Sequence, residues 1–157
     1  MELKFSVAAR IAKPVEEVYE AVVNPDHLSE YFTTGGAKGR IETGATVMWS
    51  YHDFPGEYPV QVIEALPNEK IVLDWQATDE DGAAVDKPEA DYKIRVTMEF
   101  KSLEDSRTLV TISERGWRSD DAGLKSSYGN CEGWTQMLCS LKAWIEHGIT
   151  LREGFYR

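Results

Sequence analysis

Cysteines are scarce in this chain, and metal-binding patterns are missing from it. The two cysteines among 157 residues are Cys131 and Cys139, which helical spacing places about 12 Å apart. A disulfide needs Cα atoms within roughly 7 Å of each other, so both are predicted to be free thiols, with Cys139 a small core residue. The histidines His27, His52 and His147 are scattered and match no metal-ligand motif. We therefore expect no metal, no cofactor and no thiol catalysis.

Long apolar runs and a surplus of positive charge are missing as well. No stretch stays apolar over the roughly 20 residues of a membrane-spanning helix, and no signal-peptide core is present, so a cytoplasmic protein is expected. The 17 Lys and Arg against 27 Asp and Glu give a formal net charge of -10. That charge disfavours nucleic acid and anionic membranes as partners. Phosphate-binding loops and a nucleophile-elbow motif are also absent.

What is present is led by an amphipathic run at residues 133–148. Trp134, Leu138 and Leu141 recur at helical spacing, and Met137 widens their apolar stripe. A helix with so wide an aromatic face needs a large apolar partner. With 42% hydrophobic residues, the chain is long enough to supply one within a single domain, residues 1–157.

Caps and prolines mark the other helix boundaries. Gly148 is a natural C-cap, because glycine enters the left-handed region at no steric cost. The start signal of the long helix lies at residues 119–121. Pro14 opens a first short helix, and Asn24 is the predicted N-cap of a second one at 26–31.

Alternating apolar and polar residues predict the strands. The alternating stretches are residues 2–11, 47–52, 60–66, 71–75, 92–100 and 109–115. Pro55-Gly56 is predicted to form a hairpin turn. The acidic residues 78–91 are predicted to form an exposed, mobile loop.

The order of these elements predicts an α+β fold. Short turns make neighbouring strands antiparallel, and each strand has one apolar face that must be covered. The long C-terminal helix is the element large enough to cover it. We expect a curved antiparallel sheet of about six to seven strands wrapped around that helix, with two short helices after the first strand. The space between helix and sheet is the predicted functional site.

Several landmarks in this order carry a resemblance. They are the run Ala12-Lys13-Pro14-Val15-Glu16-Glu17-Val18-Tyr19, the run Asn24-Pro25-Asp26-His27-Leu28, residues 64–75 and the Gly133-Trp134 helix. Together they resemble the START-related, Bet v 1-like (SRPBCC) superfamily with the helix-grip fold. Within it, the chain is similar to bacterial homologues of the C-terminal domain of the Hsp90 ATPase activator. Where relatives often carry a tryptophan pair after the second helix, this chain has Tyr31-Phe32.

A set of inward-facing, mostly aromatic residues predicts a pocket. Any one of them is more simply explained as core, but several together are typical of a cavity lined by flat, polarizable side chains. The candidates are Phe32, Trp49, Tyr51, Trp75, Tyr92, Met98, Trp117, Trp134, Met137 and Leu141.

Two glutamates break the apolar pattern of their strands. Glu64 and Glu114 each share a parity with apolar residues, and a buried carboxylate must be paired or have a raised pKa. Each is explained either by a solvent-facing strand end or internal ion pair, or by a hydrogen-bonding group or general acid/base in the cavity.

The superfamily holds carriers, hormone-binding proteins and cyclases, so the resemblance implies several functions. The function expected first is binding of a small hydrophobic or aromatic ligand between sheet and helix. The alternatives are a cyclase- or hydratase-type enzyme that uses a cavity carboxylate, and a module that contacts a chaperone. A protein partner or a homodimer is left open.

Overall fold

A computed structural model of the chain describes residues 1–77 and 92–156. The predicted loop at 78–91 lies outside the described residues. Within these described residues, seven strands and three α-helices follow one another. They are β1 (Leu3–Ile11), α1 (Val15–Val23), α2 (Pro25–Tyr31), β2 (Gly36–Lys38), β3 (Thr46–Tyr51), β4 (Phe54–Leu66), β5 (Lys70–Gln76), β6 (Lys93–Ser102), β7 (Thr108–Trp117) and α3 (Asp121–His147).

All seven strands belong to one antiparallel sheet. Its order is β1-β7-β6-β5-β4-β3-β2, so the first strand pairs with the last and every other neighbour is joined in sequence. β1 and β2 are the two edges, and α1 and α2 form the connection between them. Helix α3 packs on the inner face, which confirms the helix-grip α+β prediction.

Helix α3 is held at both ends by the residues that its sequence predicts. It runs for 27 residues, about 40 Å at 1.5 Å per residue. Asp120 is the N-cap, and its carboxylate accepts the backbone N–H of Gly123 at 2.7 Å. Gly148 ends the helix at φ 67°, where a side chain would be strained. Asn24 likewise caps α2 by accepting the N–H of Asp26 at 3.0 Å.

The predicted turn at Pro55-Gly56 is wrong. Tyr51 pairs with Phe54, so the turn is His52-Asp53 and the proline lies inside β4. The pairing of β4 with β5 begins only at Val60. Near Pro55, β3 is therefore the one described strand that borders β4, and a proline is tolerated where one side of a strand has no such partner.

A bulge in β4 also changes the predicted parity. Val60 and Val62 are buried as expected, but the register shifts between Val62 and Glu64. An extra residue reverses which side chains face the core beyond it. Glu64 and Leu66, predicted on the inward parity, therefore lie at the surface, and Leu66 is 40% exposed.

The buried face of α3 is broader than the apolar stripe. Trp134, Met137, Leu138 and Leu141 are buried as predicted, together with the polar pair Gln136 and Ser140. That pair satisfies itself in part, because the Gln136 amide donates to the Ser140 hydroxyl at 2.7 Å. Cys139, by contrast, is exposed, because it lies on the opposite face of the helix from the core. Both cysteines are free, as predicted.

Trp134→Ala tests the assignment of the α3 face. Trp134 is 2% exposed, and truncating so large a core side chain should lower the free energy of unfolding by about 3–5 kcal/mol. Urea titration of both proteins measures the loss. The matched control is Tyr128→Ala on the same helix, where the side chain is 66% exposed and a change within about 0.5 kcal/mol is expected. Losses of equal size at the two positions would contradict the assignment.

Candidate functional site

A buried carboxylate joins the sheet to the long helix. Glu114 continues the inward parity of β7 after Val110 and Ile112 and is 1% exposed. Its Oε1 accepts the indole N–H of Trp117 at 2.7 Å, and its Oε2 accepts that of Trp134 at 2.7 Å. The side-chain amide of Asn130 donates to both oxygens, at 3.0 and 3.1 Å. Three neutral donors from two elements thus surround one acidic group.

Trp117 reaches this carboxylate because β7 is irregular beside it. Residues 114 and 117 would face opposite sides of a regular strand. The register of β1 against β7 skips Gly116, whose φ of +107° is a backbone conformation that favours glycine. This bulge turns Trp117 inward. A Cβ on Gly116 would also lie 3.1 Å from the carbonyl oxygen of Lys93, so glycine is needed there twice over.

The environment raises the pKa of Glu114 to about 7. Burial is the largest cause, because removing the carboxylate from water disfavours its charged form. The hydrogen bonds from Trp134, Asn130 and Trp117 act in the opposite direction, since each stabilises the anion. All three hydrogen-bond partners are neutral, and no cation among the described residues contributes to the shift of the Glu114 pKa. Protonated and ionised forms therefore coexist near neutral pH.

Next to this carboxylate, aromatic side chains are in direct contact with one another. Trp134 lies 5.6 Å from Phe32 and 5.5 Å from Trp75, centroid to centroid. Phe32 also contacts Trp49 at 5.6 Å and Tyr51 at 5.4 Å. Trp49 and Trp75 are 6.0 Å apart and nearly perpendicular. Five of the predicted site residues therefore form one aromatic cluster, to which the C-cap of α2 and the elements β3, β5 and α3 contribute.

Two indole N–H groups in the aromatic cluster have no acceptor within the described part of the chain. The Nε1 atoms of Trp49 and Trp75 are buried and make no hydrogen bond to a described residue. Those of Trp117 and Trp134 both donate to Glu114. Buried donors are rarely left unpaired, so the unpaired N–H groups of Trp49 and Trp75 are unusual.

The other predicted site residues are placed around this cluster or away from it. Tyr92 lies 6.5 Å from Trp117 and accepts the backbone N–H of Arg118 through its hydroxyl. Met98, Met137 and Leu141 are buried in the core. Glu64 is not brought to the site, because the β4 bulge turns it outward to an ion pair with Lys70 at 3.1 Å.

Sequence reasoning missed two residues. Asn130 lies one helical turn before Trp134, and that i, i+4 spacing was the available signal. Arg152 follows the last helix in a segment without periodicity, so no pattern indicates its burial. It is 4% exposed, donates to Asp53 at 2.9 Å and lies 5.1 Å from the ring centroid of Tyr51. Arg152 thereby fixes the chain end against the β3–β4 hairpin.

Open space is found on the surface of the described residues. One groove of about 410 Å³ lies on the outer side of α3 between Tyr128, Cys139 and Phe155. Another of about 390 Å³ lies beside Asp53 and Arg152. The enclosed chamber between helix and sheet stays a prediction. In residues 1–77 and 92–156 no three His, Cys, Asp or Glu side chains are grouped to hold a metal ion, and no described helix is long and apolar enough to cross a bilayer.

The sheet, the two short helices and the gripped helix define a helix-grip domain of the Bet v 1-like class. The chain belongs to the Activator of Hsp90 ATPase homolog 1-like protein family, whose model matches residues 12–146. This confirms the resemblance found in the sequence. A search of curated proteins finds no significant match.

Solved structures with the same fold come from distant organisms. A Staphylococcus saprophyticus protein is 25% identical, with a TM-score of 0.73 and 96% of each chain covered. The Aha1 dimer from Colwellia psychrerythraea is 22% identical, with a TM-score of 0.71 over 93% of this chain and 98% of that one. An HSP90 activator from Plasmodium falciparum is 17% identical, with a TM-score of 0.68 over 93% and 96%. The last two likenesses concern the fold alone.

Glu114→Gln tests the buried acid through the pH dependence of stability. The folded-state pKa is about 7 against 4.5 for the free side chain, so the folded protein binds the extra proton between these values. The free energy of unfolding should therefore fall by about 3 kcal/mol from pH 4.5 to 7 and then level off. The variant, which has no proton to release, should lose this slope.

Unfolding in urea at half-unit pH intervals measures the slope. The matched control is Glu20→Gln, because the pKa of Glu20 is lowered to about 2, mainly by its hydrogen bond with Arg40. Its contribution is lost only as pH falls below about 4.5, so the slope between 4.5 and 7 should survive in this variant. A Glu114→Gln profile that keeps the wild-type slope would contradict the buried, titrating carboxylate.

Proposed function

We propose that the protein binds a small hydrophobic or aromatic molecule between α3 and the sheet, in the cytoplasm. The observation that carries the proposal is the cluster of Phe32, Trp49, Tyr51, Trp75 and Trp134 rings beside the Glu114 carboxylate. Flat aromatic walls with a few fixed polar groups are typical of small-molecule sites.

The physical composition of the aromatic cluster supports binding over packing alone. A core that only packs is most simply filled with aliphatic side chains, which leave no polar atom to satisfy. This one holds three indoles and a carboxylate, and two of the indole N–H groups are unsatisfied. Trp75 is only partly buried, so the cluster reaches the protein surface at that ring. A planar ligand that enters there would stack on the rings already present.

An acid–base role for Glu114 ranks second. Its pKa of about 7 suits a group that both gives and takes protons at neutral pH. However, both oxygens already accept hydrogen bonds from protein donors, and a substrate proton would have to displace one of them. The geometry therefore favours holding and orienting a ligand over catalysis.

A chaperone-directed role is the third candidate, and the family relationship favours it. One structural relative is an HSP90 activator and another is an Aha1 dimer. For this chain, contact with a chaperone and self-association are proposals. Size-exclusion chromatography alone and with a purified Hsp90 would test both.

Ligand binding is tested with N-phenyl-1-naphthylamine, a neutral aromatic probe whose fluorescence rises in apolar surroundings. The five tryptophans give five indole N–H signals in a ¹⁵N-correlated NMR spectrum, which Trp→Phe variants assign. Titration should shift the signals of Trp49, Trp75 and Trp134 and leave that of Trp144, which stacks on Tyr31 away from the aromatic cluster. Probe fluorescence should rise in parallel.

Two variants separate this site from the outer groove. Trp75→Ala removes one wall of the aromatic cluster and should weaken probe binding by about tenfold, the equivalent of about 1.4 kcal/mol. Phe155→Ala changes the outer groove and should leave binding unchanged. Shifts confined to residues of the outer groove, or no shifts at millimolar probe, would count against the proposal.

A further inference from the structure

Two buried donors in the aromatic cluster lack an acceptor among residues 1–77 and 92–156. The indole N–H is a donor and nothing else. Trp49 is 1% exposed, and its Nε1 makes no hydrogen bond; the Nε1 of Trp75 is equally buried and unpaired. A buried donor without a partner is unfavourable, and here two lie on rings 6.0 Å apart.

The sheet neighbours of Trp75 are apolar, whereas Trp49 pairs across the sheet with Tyr58, whose hydroxyl donates to the carbonyl oxygen of Pro55 at 2.9 Å. Trp75 pairs across the sheet with Val60 and Ile94, and both are buried hydrocarbons. Phe32 packs against Trp49, and Trp134 packs against Trp75. Two described carboxylates near the aromatic cluster are already engaged. Glu114 accepts its bonds from Trp117, Asn130 and Trp134, and Asp53, close to Tyr51, is paired with Arg152.

The charges around the aromatic cluster restrict which ligand group can pair with the two indole N–H groups. Arg152 lies 5.1 Å from the ring centroid of Tyr51 and is paired with Asp53 at 2.9 Å. Its charge is therefore already balanced and does not compensate an anion at the two indoles. Glu114, joined to the aromatic cluster through Trp134, repels an anion when it is ionised. A protonated ligand amine has donors and no acceptor, so it would meet the indole N–H groups donor to donor. A neutral oxygen acceptor on an aromatic skeleton fits all three conditions.

We propose that the N–H groups of Trp49 and Trp75 select neutral, planar aromatic compounds that carry a carbonyl oxygen. A carbonyl oxygen has two lone pairs, so it can accept from one or from both indoles. The aromatic part of the ligand lies against the rings of Phe32 and Trp134. This inference rests on the proposed ligand-binding function and specifies the chemical class of the ligand.

The test uses two probes of the same shape, 2-acetylnaphthalene and 2-isopropenylnaphthalene. They differ only in that a C=O group replaces a C=CH₂ group. Affinities come from NMR titration of the wild-type protein. The ketone should bind about three- to tenfold more tightly, the range of one or two net hydrogen bonds. Only the ketone should move the indole proton signal of Trp49 or Trp75 downfield, since a new hydrogen bond deshields that proton.

Variants then assign the preference to the donors. Trp49→Phe and Trp75→Phe keep an aromatic ring and remove the N–H, so the ketone-to-alkene affinity ratio should fall towards one in at least one of them. Trp144→Phe, outside the aromatic cluster, should keep the wild-type ratio. Because the ratio compares two ligands on the same variant, a general loss of packing cancels from it.

The outcomes separate the two proposals. Equal affinity for both probes in the wild-type protein, with shifts in the aromatic cluster, would overturn the carbonyl preference and leave ligand binding intact. Binding of neither probe up to its solubility limit would overturn both. A preference that survives in both Trp49→Phe and Trp75→Phe would assign it to a different donor and refute the inference.

Discussion

The Glu114 carboxylate is the interaction on which the relation between sheet and helix depends. It projects from β7 and receives N–H bonds from Asn130 and Trp134 of α3. Apolar packing buries the stripe of α3 against the sheet, but the hydrophobic effect itself is non-directional. Two directed bonds to a single strand residue add a defined rotation and axial position to that packing. The third donor, Trp117, ties the end of β7 to the same point.

Burying the Glu114 carboxylate costs free energy, because its charged form loses contact with water. A carboxylate with no cationic partner in the described residues is stabilised by neutral donors alone, and its pKa rises to about 7 as a result. An apolar residue would avoid that penalty. A buried polar group kept against such a penalty is a candidate for function, and the aromatic cluster beside it, with two unpaired donors, strengthens that interpretation.

The fold was predictable from the sequence because it depends on the periodicity of apolar residues. The details of the site were unpredictable, since they depend on exceptions to that periodicity. Alternation located β1, β6 and β7, and helical spacing located α3. Glu64 was misplaced by a bulge that no local pattern announces. Trp117 was predicted among the inward-facing residues, but in a regular β7 it would face the opposite side from Glu114. It faces inward only because of the irregularity at Gly116. Arg152 lies in a segment with no period at all.

The same contrast explains why Glu114 and Glu64, which looked alike in sequence, differ in structure. Each sat on an apolar parity near one end of a strand. The regular part of β7 extends through residue 114, so Glu114 stays inside, where α3 supplies donors. The β4 register breaks before residue 64, so Glu64 faces solvent and pairs with Lys70. A carboxylate in an apolar pattern therefore indicates a buried site only where its strand stays regular up to that residue. Whether the strand stays regular depends on its pairing with the neighbouring strands.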